Sequence, residues 1–76
     1  NDAAAFNQLT IASGVGSFAA GTGTRAKGLS AAAFGRYNDD TDTPNPNATA
    51  PGDRIFQIGN GTADNARSNA LTVLRN

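Results

Sequence analysis

Three aspartates in the middle of the chain are the residues best suited to hold a metal ion. Asp39, Asp40 and Asp42 lie in segment 38–52, which contains all three prolines and almost no apolar residue. Clustered carboxylates on a flexible loop could supply the oxygen ligands that Ca²⁺ prefers. However, the spacing lacks the glycine and the distal acidic residue of an EF-hand loop. We therefore interpret the cluster as a solvated turn and keep calcium binding as the alternative.

The chain offers few groups for catalysis. Histidine, cysteine and glutamate are absent, so proton transfer would need an aspartate pair or a Ser–Lys arrangement. Ser30 and Lys27 are close in sequence, but no third group is placed to orient them. We expect a protein without enzymatic activity and without a cofactor.

Arg25, Lys27 and Arg36 could form a basic strip for an acidic glycan or a nucleic acid. No organised aromatic platform accompanies them, and the six basic residues are balanced by six aspartates. We interpret them as solubilising charge and expect no nucleic-acid partner. Tyr37 could stack on a carbohydrate, although packing at the end of the repeat region is the role that we favour.

A short repeat must position all of these residues. The frame Ala-x-Gly recurs every seven residues, with its glycines at Gly14, Gly21, Gly28 and Gly35. Alternate units resemble each other more than neighbours do, so the repeating coil has fourteen residues. Asn7 fits the glycine position of a preceding unit, because asparagine tolerates left-handed backbone angles. Such a period predicts an all-β solenoid whose segments stack in one backbone geometry.

A coiled-coil heptad is the rival explanation of a seven-residue period. Heptads need large apolar residues at two positions in seven, whereas the repeated positions here hold alanine and glycine. Each glycine would also cost a helix about 1 kcal/mol relative to alanine. In strands, the small residues at alternate positions, such as Ser17 and Ala19, would line a narrow interior. The four frame glycines are then expected to turn the corners with positive φ angles.

A coil of small residues buries little surface by itself. At about 25 cal/mol per Å² of buried apolar area, against about 1.5 kcal/mol of ordering cost per residue, a chain of this size does not obviously fold alone. We therefore expect stacking along the chain, association with identical chains, or both. The larger apolar residues are too bulky for an alanine-lined interior. The predicted oligomer interface comprises Ile11, Val15, Phe18, Leu29, Phe34, Ile55, Phe56 and Leu71.

The chain divides into three segments. Residues 1–38 hold the repeats, 39–53 form an Asp- and Pro-rich loop leaving the repeat, and 54–76 form a terminal β-strand segment. Strand-like runs at 54–58 and 70–74 are separated by a break at 59–62. The chain begins without Met or a signal sequence and ends near a turn. We expect an excerpt or a mature product, with any export signal or anchor elsewhere.

The repeat frame and the block Arg54-Ile55-Phe56-Gln57-Ile58-Gly59 resemble the YadA-like heads of trimeric autotransporter adhesins and the segment that follows such heads. The resemblance implies a left-handed parallel β-roll, three chains side by side, and an adhesive or fibre-forming role on a bacterial surface. Identical chains and a cell-surface, matrix or glycan ligand would be the partners, with no membrane contact from this segment. The chain departs from the pattern by having about two full coils and by its proline-rich interruption.

The sequence is compatible with three alternatives. One is an oligomerisation segment of a phage-type tail fibre, which would share the fold. Another is a dedicated glycan-binding solenoid. The third is an ice-binding solenoid, suggested by Thr22-Gly23-Thr24, although one threonine pair cannot make an array.

Overall fold

The computed structural model describes residues 3–76, which form seven β-strands and no helix. Asn1 and Asp2, at the start of the predicted 1–38 segment, lie outside the described residues. The strands are β1 (Ala4–Phe6), β2 (Ile11–Ala12), β3 (Phe18–Ala20), β4 (Arg25–Ala26), β5 (Ala32–Arg36), β6 (Arg54–Asn60) and β7 (Asn69–Leu74). The all-β class is therefore confirmed, and the heptad alternative is excluded for this part of the chain. Within the same residues, no helix is available that could cross a membrane.

The first five strands alternate between two sheets. β1, β3 and β5 belong to a five-stranded sheet of order β1-β3-β5-β6-β7, whereas β2 and β4 form a two-stranded sheet. Pairing is parallel and offset by fourteen residues, so that Ala4 pairs with Phe18 and Ile11 pairs with Arg25. The predicted fourteen-residue period is thus the register of both sheets.

Backbone conformation repeats with the same period. Eight described residues have positive φ, and they fall in three series spaced by fourteen: Asn7, Gly21 and Gly35; Leu9, Gly23 and Tyr37; Gly16 and Ser30. The φ of Asn7 is 76°, which confirms that asparagine takes a glycine position in the first unit. Successive coils therefore turn their corners in the same way whether or not glycine is present.

The frame glycines have two different roles. Gly21 and Gly35 have φ of 122° and 95°, as predicted for corner positions. The prediction is wrong for Gly14 and Gly28, whose φ lies outside the left-handed region. At Gly14 the requirement is steric, because a Cβ there would overlap the carbonyl oxygen of Gly28 in the next coil. Gly21 also lies close to the Gly35 carbonyl oxygen, whereas a Cβ at Gly28 would make only ordinary contacts.

The interior between the two sheets is built from alanine. Ala19 and Ala33 from the large sheet meet Ala26 from the small sheet, and all three are completely buried. Ala12 packs against this cluster. The prediction of a narrow interior lined by small side chains is confirmed. Because alanine has only a methyl group, the core gains little hydrophobic free energy for each residue that it orders.

The loop between β5 and β6 does not leave the repeat as expected. It contains no strand, but its backbone returns to the coils, where the Pro46 carbonyl accepts a hydrogen bond of 3.0 Å from the Val15 N–H. The Lys27 ammonium also donates to the backbone carbonyls of Asp40 and Asp42. The loop therefore covers the repeat where another coil would otherwise pack.

The last two strands complete the large sheet. β6 pairs in parallel with β5, with Ala32 opposite Phe56, and β7 returns antiparallel to β6. The break predicted at 59–62 starts only after Asn60, because Gly59 and Asn60 continue β6. Register shifts between β6 and β7 interrupt the ladder next to Arg54 and after Ile58. The terminal segment is thus part of the same sheet as the repeat.

Candidate interaction face

The large sheet presents an apolar outer face. Ala19, Ala33 and Gln57 are buried at matched positions of β3, β5 and β6, so the residues that flank them point outward. The outward side chains include four phenylalanines and three aliphatic residues. We call this set the phenylalanine face: Phe6, Phe18, Phe34, Phe56, Ile58, Leu71 and Val73.

The four rings form a continuous row across four strands. Ring centroids are separated by 5.4 Å for Phe6 and Phe18, 5.4 Å for Phe18 and Phe34, and 5.7 Å for Phe34 and Phe56. Small partners make the row possible, because Ala32 lies opposite both Phe18 and Phe56 and leaves room for the ring of Phe34 on the diagonal. The rings are tilted by 41–49°, an arrangement that aromatic pairs favour over face-to-face stacking.

Much of this face is open to solvent. Phe6 is 54% exposed, and Phe34, Ile58, Leu71 and Val73 are each more than one third exposed. Phe18 and Phe56 are half-buried by their neighbours in the row. A contiguous exposed patch of large apolar residues is typical of a protein–protein interface.

The predicted interface residues do not all share this face. Phe18, Phe34, Phe56 and Leu71 belong to it. The other four lie elsewhere: Ile11 on β2 of the small sheet, Val15 and Leu29 in turns, and Ile55 at the register shift between β6 and β7. Sequence spacing could not separate the two groups, because assignment to a face requires the sheet register. The interface itself remains a prediction. Of the eight predicted residues, the four on the phenylalanine face are the ones that one partner surface could contact together.

The three loop aspartates are not a solvated turn. Asp40 contacts Arg25 at 2.6 Å, and Asp42 lies 3.8 Å from the Lys27 ammonium. Asp39 lies 3.3 Å from the Arg54 guanidinium. The interpretation as a purely solvated segment is therefore wrong, because the loop is drawn onto the repeat by ion pairs. A calcium ion at the cluster would have to compete with these cations for the carboxylates.

Asp39 accepts two hydrogen bonds from within the loop. The Thr41 hydroxyl and backbone N–H both donate to Asp39 Oδ1, at 2.6 and 2.9 Å. These hydrogen bonds, together with the nearby Arg54, lower the pKa of Asp39 to about 2 from its ordinary 3.8.

The basic strip is largely neutralised. Arg25 and Lys27 are occupied by the loop aspartates, and Arg36 remains exposed with its guanidinium 5.7 Å from the ring centre of Tyr37. This pairing favours the expectation that these residues do not form a site for a polyanion.

Tyr37 packs where the repeat ends. Its ring lies against Gly23, where an added Cβ would overlap the ring atoms, and the Arg67 guanidinium is 5.4 Å from the ring centre. The favoured packing contact is therefore present, and stacking on a carbohydrate stays the alternative prediction. Thr24, in contrast, is completely buried, so it cannot form an exposed ice-binding pair with Thr22.

Sequence reasoning missed a buried network of side-chain amides. Asn38 is completely buried. Its Oδ1 accepts a hydrogen bond from the backbone N–H of Arg25 at 2.7 Å, and its Nδ2 donates to the backbone carbonyl of Arg25 at 3.0 Å. Asn38 Nδ2 also donates to Gln57 Oε1, which accepts a second hydrogen bond from Asn69. The repeat could have indicated the burial of Asn38, because Asn38 lies one fourteen-residue coil after Thr24. Gln57 takes the position of the interior alanines, opposite Ala33.

Arg67 was also missed. Its side chain is only 8% exposed, and it donates to the carbonyls of Gly23 and Asn38 and to the carboxylate of Asp64. Arg67 thus ties the segment between β6 and β7 to the end of the repeat. The hydrogen bonds from Arg67 also lower the pKa of Asp64.

Comparison with protein-family models, with curated proteins and with solved structures gives no match for this chain.

Proposed function

We propose that this chain is a non-catalytic structural module of an extracellular, homo-oligomeric bacterial surface fibre or adhesin. In this proposal the fourteen-residue coils wind as a left-handed parallel β-roll, as the resemblance to YadA-like heads implies. Sister chains pack on the phenylalanine face, and the assembly is a trimer. The module holds a rigid rod through strand hydrogen bonds and interchain packing.

The observation that carries the proposal is the row of four phenylalanine rings on the open face of the large sheet, two of them exposed and two half-buried. Each large apolar side chain contributes about 1.5–3 kcal/mol when it moves from water to a packed interior. In a single chain, Phe6 and Phe34 and their aliphatic neighbours leave much of that free energy unused. Because the row crosses four strands, a second copy could contact it without rearranging the sheet.

The small core supports the same conclusion. The buried apolar residues of the described chain are alanines, which offer little compensation for the entropy of ordering the chain. Small domains whose core supplies little free energy are stabilised by a disulfide, a metal or association. The chain has no cysteine, so a disulfide is impossible. The phenylalanine face supports association of identical chains as the source of the remaining stability.

An aspartate substitution in the middle of the row tests this proposal. Phe34→Asp should convert the oligomer to a single chain, because a buried unpaired carboxylate costs more than the interface gains. Sedimentation equilibrium of the purified segment gives the mass directly. Leu9→Asp is the matched control, since Leu9 is 68% exposed, lies outside the phenylalanine face, and has a φ of 58° that aspartate tolerates. A Phe34→Asp protein of unchanged oligomeric mass would refute the assigned interface.

A further inference from the structure

We propose that a cavity at the end of the repeat binds one pyranose ring of a neutral saccharide. The cavity has a volume of 430 Å³, within the range of small-molecule sites. Its apolar wall is formed by Leu9, Ile11 and Tyr37. None of its lining residues belongs to the phenylalanine face, so the cavity is separate from the interface proposed above.

The cavity originates in the repeat itself. Leu9, Gly23 and Tyr37 occupy the same position in three successive coils, with φ of 58°, 63° and 43°. The middle coil has glycine there, so no side chain separates Leu9 from Tyr37. The ring of Tyr37 packs over Gly23, and the same ring lines the cavity together with Leu9 and Ile11. Such a surface suits the C–H face of a sugar ring, which packs on apolar and aromatic groups.

Polar groups with free hydrogen-bonding capacity surround this wall. Asp64 is exposed, and Arg25 and Arg67 both donate to its Oδ1; among the described residues nothing donates to its Oδ2. The Tyr37 phenol and the Thr10 hydroxyl likewise have no hydrogen-bond partner among residues 3–76, and both residues line the cavity. One carboxylate and two hydroxyls can pair with the ring hydroxyls of a sugar, each of which donates and accepts.

The charge balance favours a neutral ligand. Two guanidinium groups line the cavity, and both are already paired. Arg25 contacts Asp40 at 2.6 Å, and Arg67 contacts Asp64 at 2.6 Å. Arg67 is also engaged with backbone carbonyls. Counting Asp40, which pairs with Arg25 but does not line the cavity, the two arginines and two aspartates sum to zero. An anionic ligand would have to displace one of these carboxylates.

The protein supplies its own optical probe for this site. Tyr37 is the single tyrosine and tryptophan is absent, so tyrosine fluorescence reports on one wall of the cavity alone. We would titrate the full chain with methyl β-D-galactopyranoside and with methyl β-D-glucopyranoside. At ordinary ligand efficiency, a ligand of this size reaches a dissociation constant of about 1 mM. For at least one of the two probes, we expect a saturable change in tyrosine fluorescence with a dissociation constant of about 1 mM.

Two substitutions locate the binding. Asp64→Asn should weaken the affinity at least tenfold, because the charged acceptor becomes an amide. Leu9→Ser tests the apolar wall independently of the Asp64–Arg67 pair, and a several-fold loss is expected. Asn65→Asp is the control, since Asn65 is exposed beside Asp64 and does not line the cavity. The two proposals fail separately, because a wild-type segment of single-chain mass that still binds the sugar would refute the interface and leave this site intact.

Several results would overturn the inference. Absence of any saturable response to both galactoside and glucoside up to 100-fold above the expected constant, about 0.1 M, would exclude a pyranose site. Tighter binding of D-galacturonate than of either neutral probe would show that the arginines form an anion site. Equal affinities in the wild type, Asp64→Asn and Leu9→Ser would place the sugar elsewhere on the molecule.

Discussion

At the residue scale, the interior is so narrow that a single hydroxyl matters. Thr24 is completely buried beside the alanine cluster, and its Oγ1 has no hydrogen-bond partner. Ser17 is also buried, but its hydroxyl donates to the Gly14 carbonyl at 2.6 Å. The hydrogen bond of the Ser17 hydroxyl thus compensates for its removal from water, whereas the Thr24 hydroxyl has no such compensation.

Thr24→Val should stabilise the fold. The substitution replaces an unpaired hydroxyl by a methyl group of similar size and should raise the free energy of unfolding by about 1 kcal/mol. Urea denaturation at one fixed chain concentration measures the change. Thr43→Val, at an exposed loop position, should stay within about 0.5 kcal/mol of the wild type. A clear destabilisation by Thr24→Val would mean that its hydroxyl is paired in solution.

Asp39 should make the fold sensitive to acid. Its pKa in the folded chain is about 2, against an ordinary value of 3.8, so the folded state binds the proton less tightly than the unfolded state does. The resulting stability is fully present above about pH 4 and is lost as the pH falls towards 2. NMR titration of the side-chain carboxyl gives the pKa directly. Thr41→Ala should raise it, because the largest cause is the Thr41 hydroxyl, and a wild-type value near 3.8 would contradict the observed hydrogen bonds.

At the element scale, the small sheet ends because a side chain replaces its next strand. The Asn38 amide meets the N–H and the C=O of Arg25, which are the groups that a third strand would pair. The polypeptide then departs into the loop, and Asp40 and Asp42 neutralise Arg25 and Lys27 on the coil that it covers. This arrangement satisfies an open strand edge without another coil.

Asn38→Ala should therefore weaken the fold strongly. The substitution removes the hydrogen bonds to the backbone N–H and C=O of Arg25 and one hydrogen bond to Gln57. Leaving these groups without partners should lower the free energy of unfolding by about 2–3 kcal/mol. The midpoint of urea denaturation should fall accordingly. Asn65→Ala, at an exposed position, should have almost no effect. Similar midpoints for the two variants would show that Asn38 does not close the edge.

The repeat could be predicted from the sequence, but the way that it ends could not. The spacing of Gly21 and Gly35 encodes both the register and the corner geometry, because each coil repeats the last. No such rule covers the junction of β5 and β6, where Ala32 pairs with Phe56 after a non-repeating loop. The Asn38 amide pairs with a residue one coil away, and a lone asparagine beside an aspartate run gives no local indication of burial. The sharing of one face by Phe18, Phe34 and Phe56 likewise depends on that junction.

At the scale of the whole molecule, a thin body carries a hydrophobic outer surface. The chain measures 30 × 23 × 16 Å, and its buried apolar residues are alanines, whereas its phenylalanines lie outside. This is the reverse of an ordinary domain, in which the largest apolar residues form the core. On our account the missing core is completed by the phenylalanine faces of sister chains.

The dependence of thermal stability on chain concentration tests this account most directly. If folding requires association, mass action raises the unfolding midpoint as the concentration rises. We expect the wild-type midpoint to increase by several degrees over a 100-fold concentration range, with a sedimentation mass three times the chain mass of 7.7 kDa. A midpoint independent of concentration, together with the mass of a single chain, would contradict the claim that the phenylalanine face completes the fold.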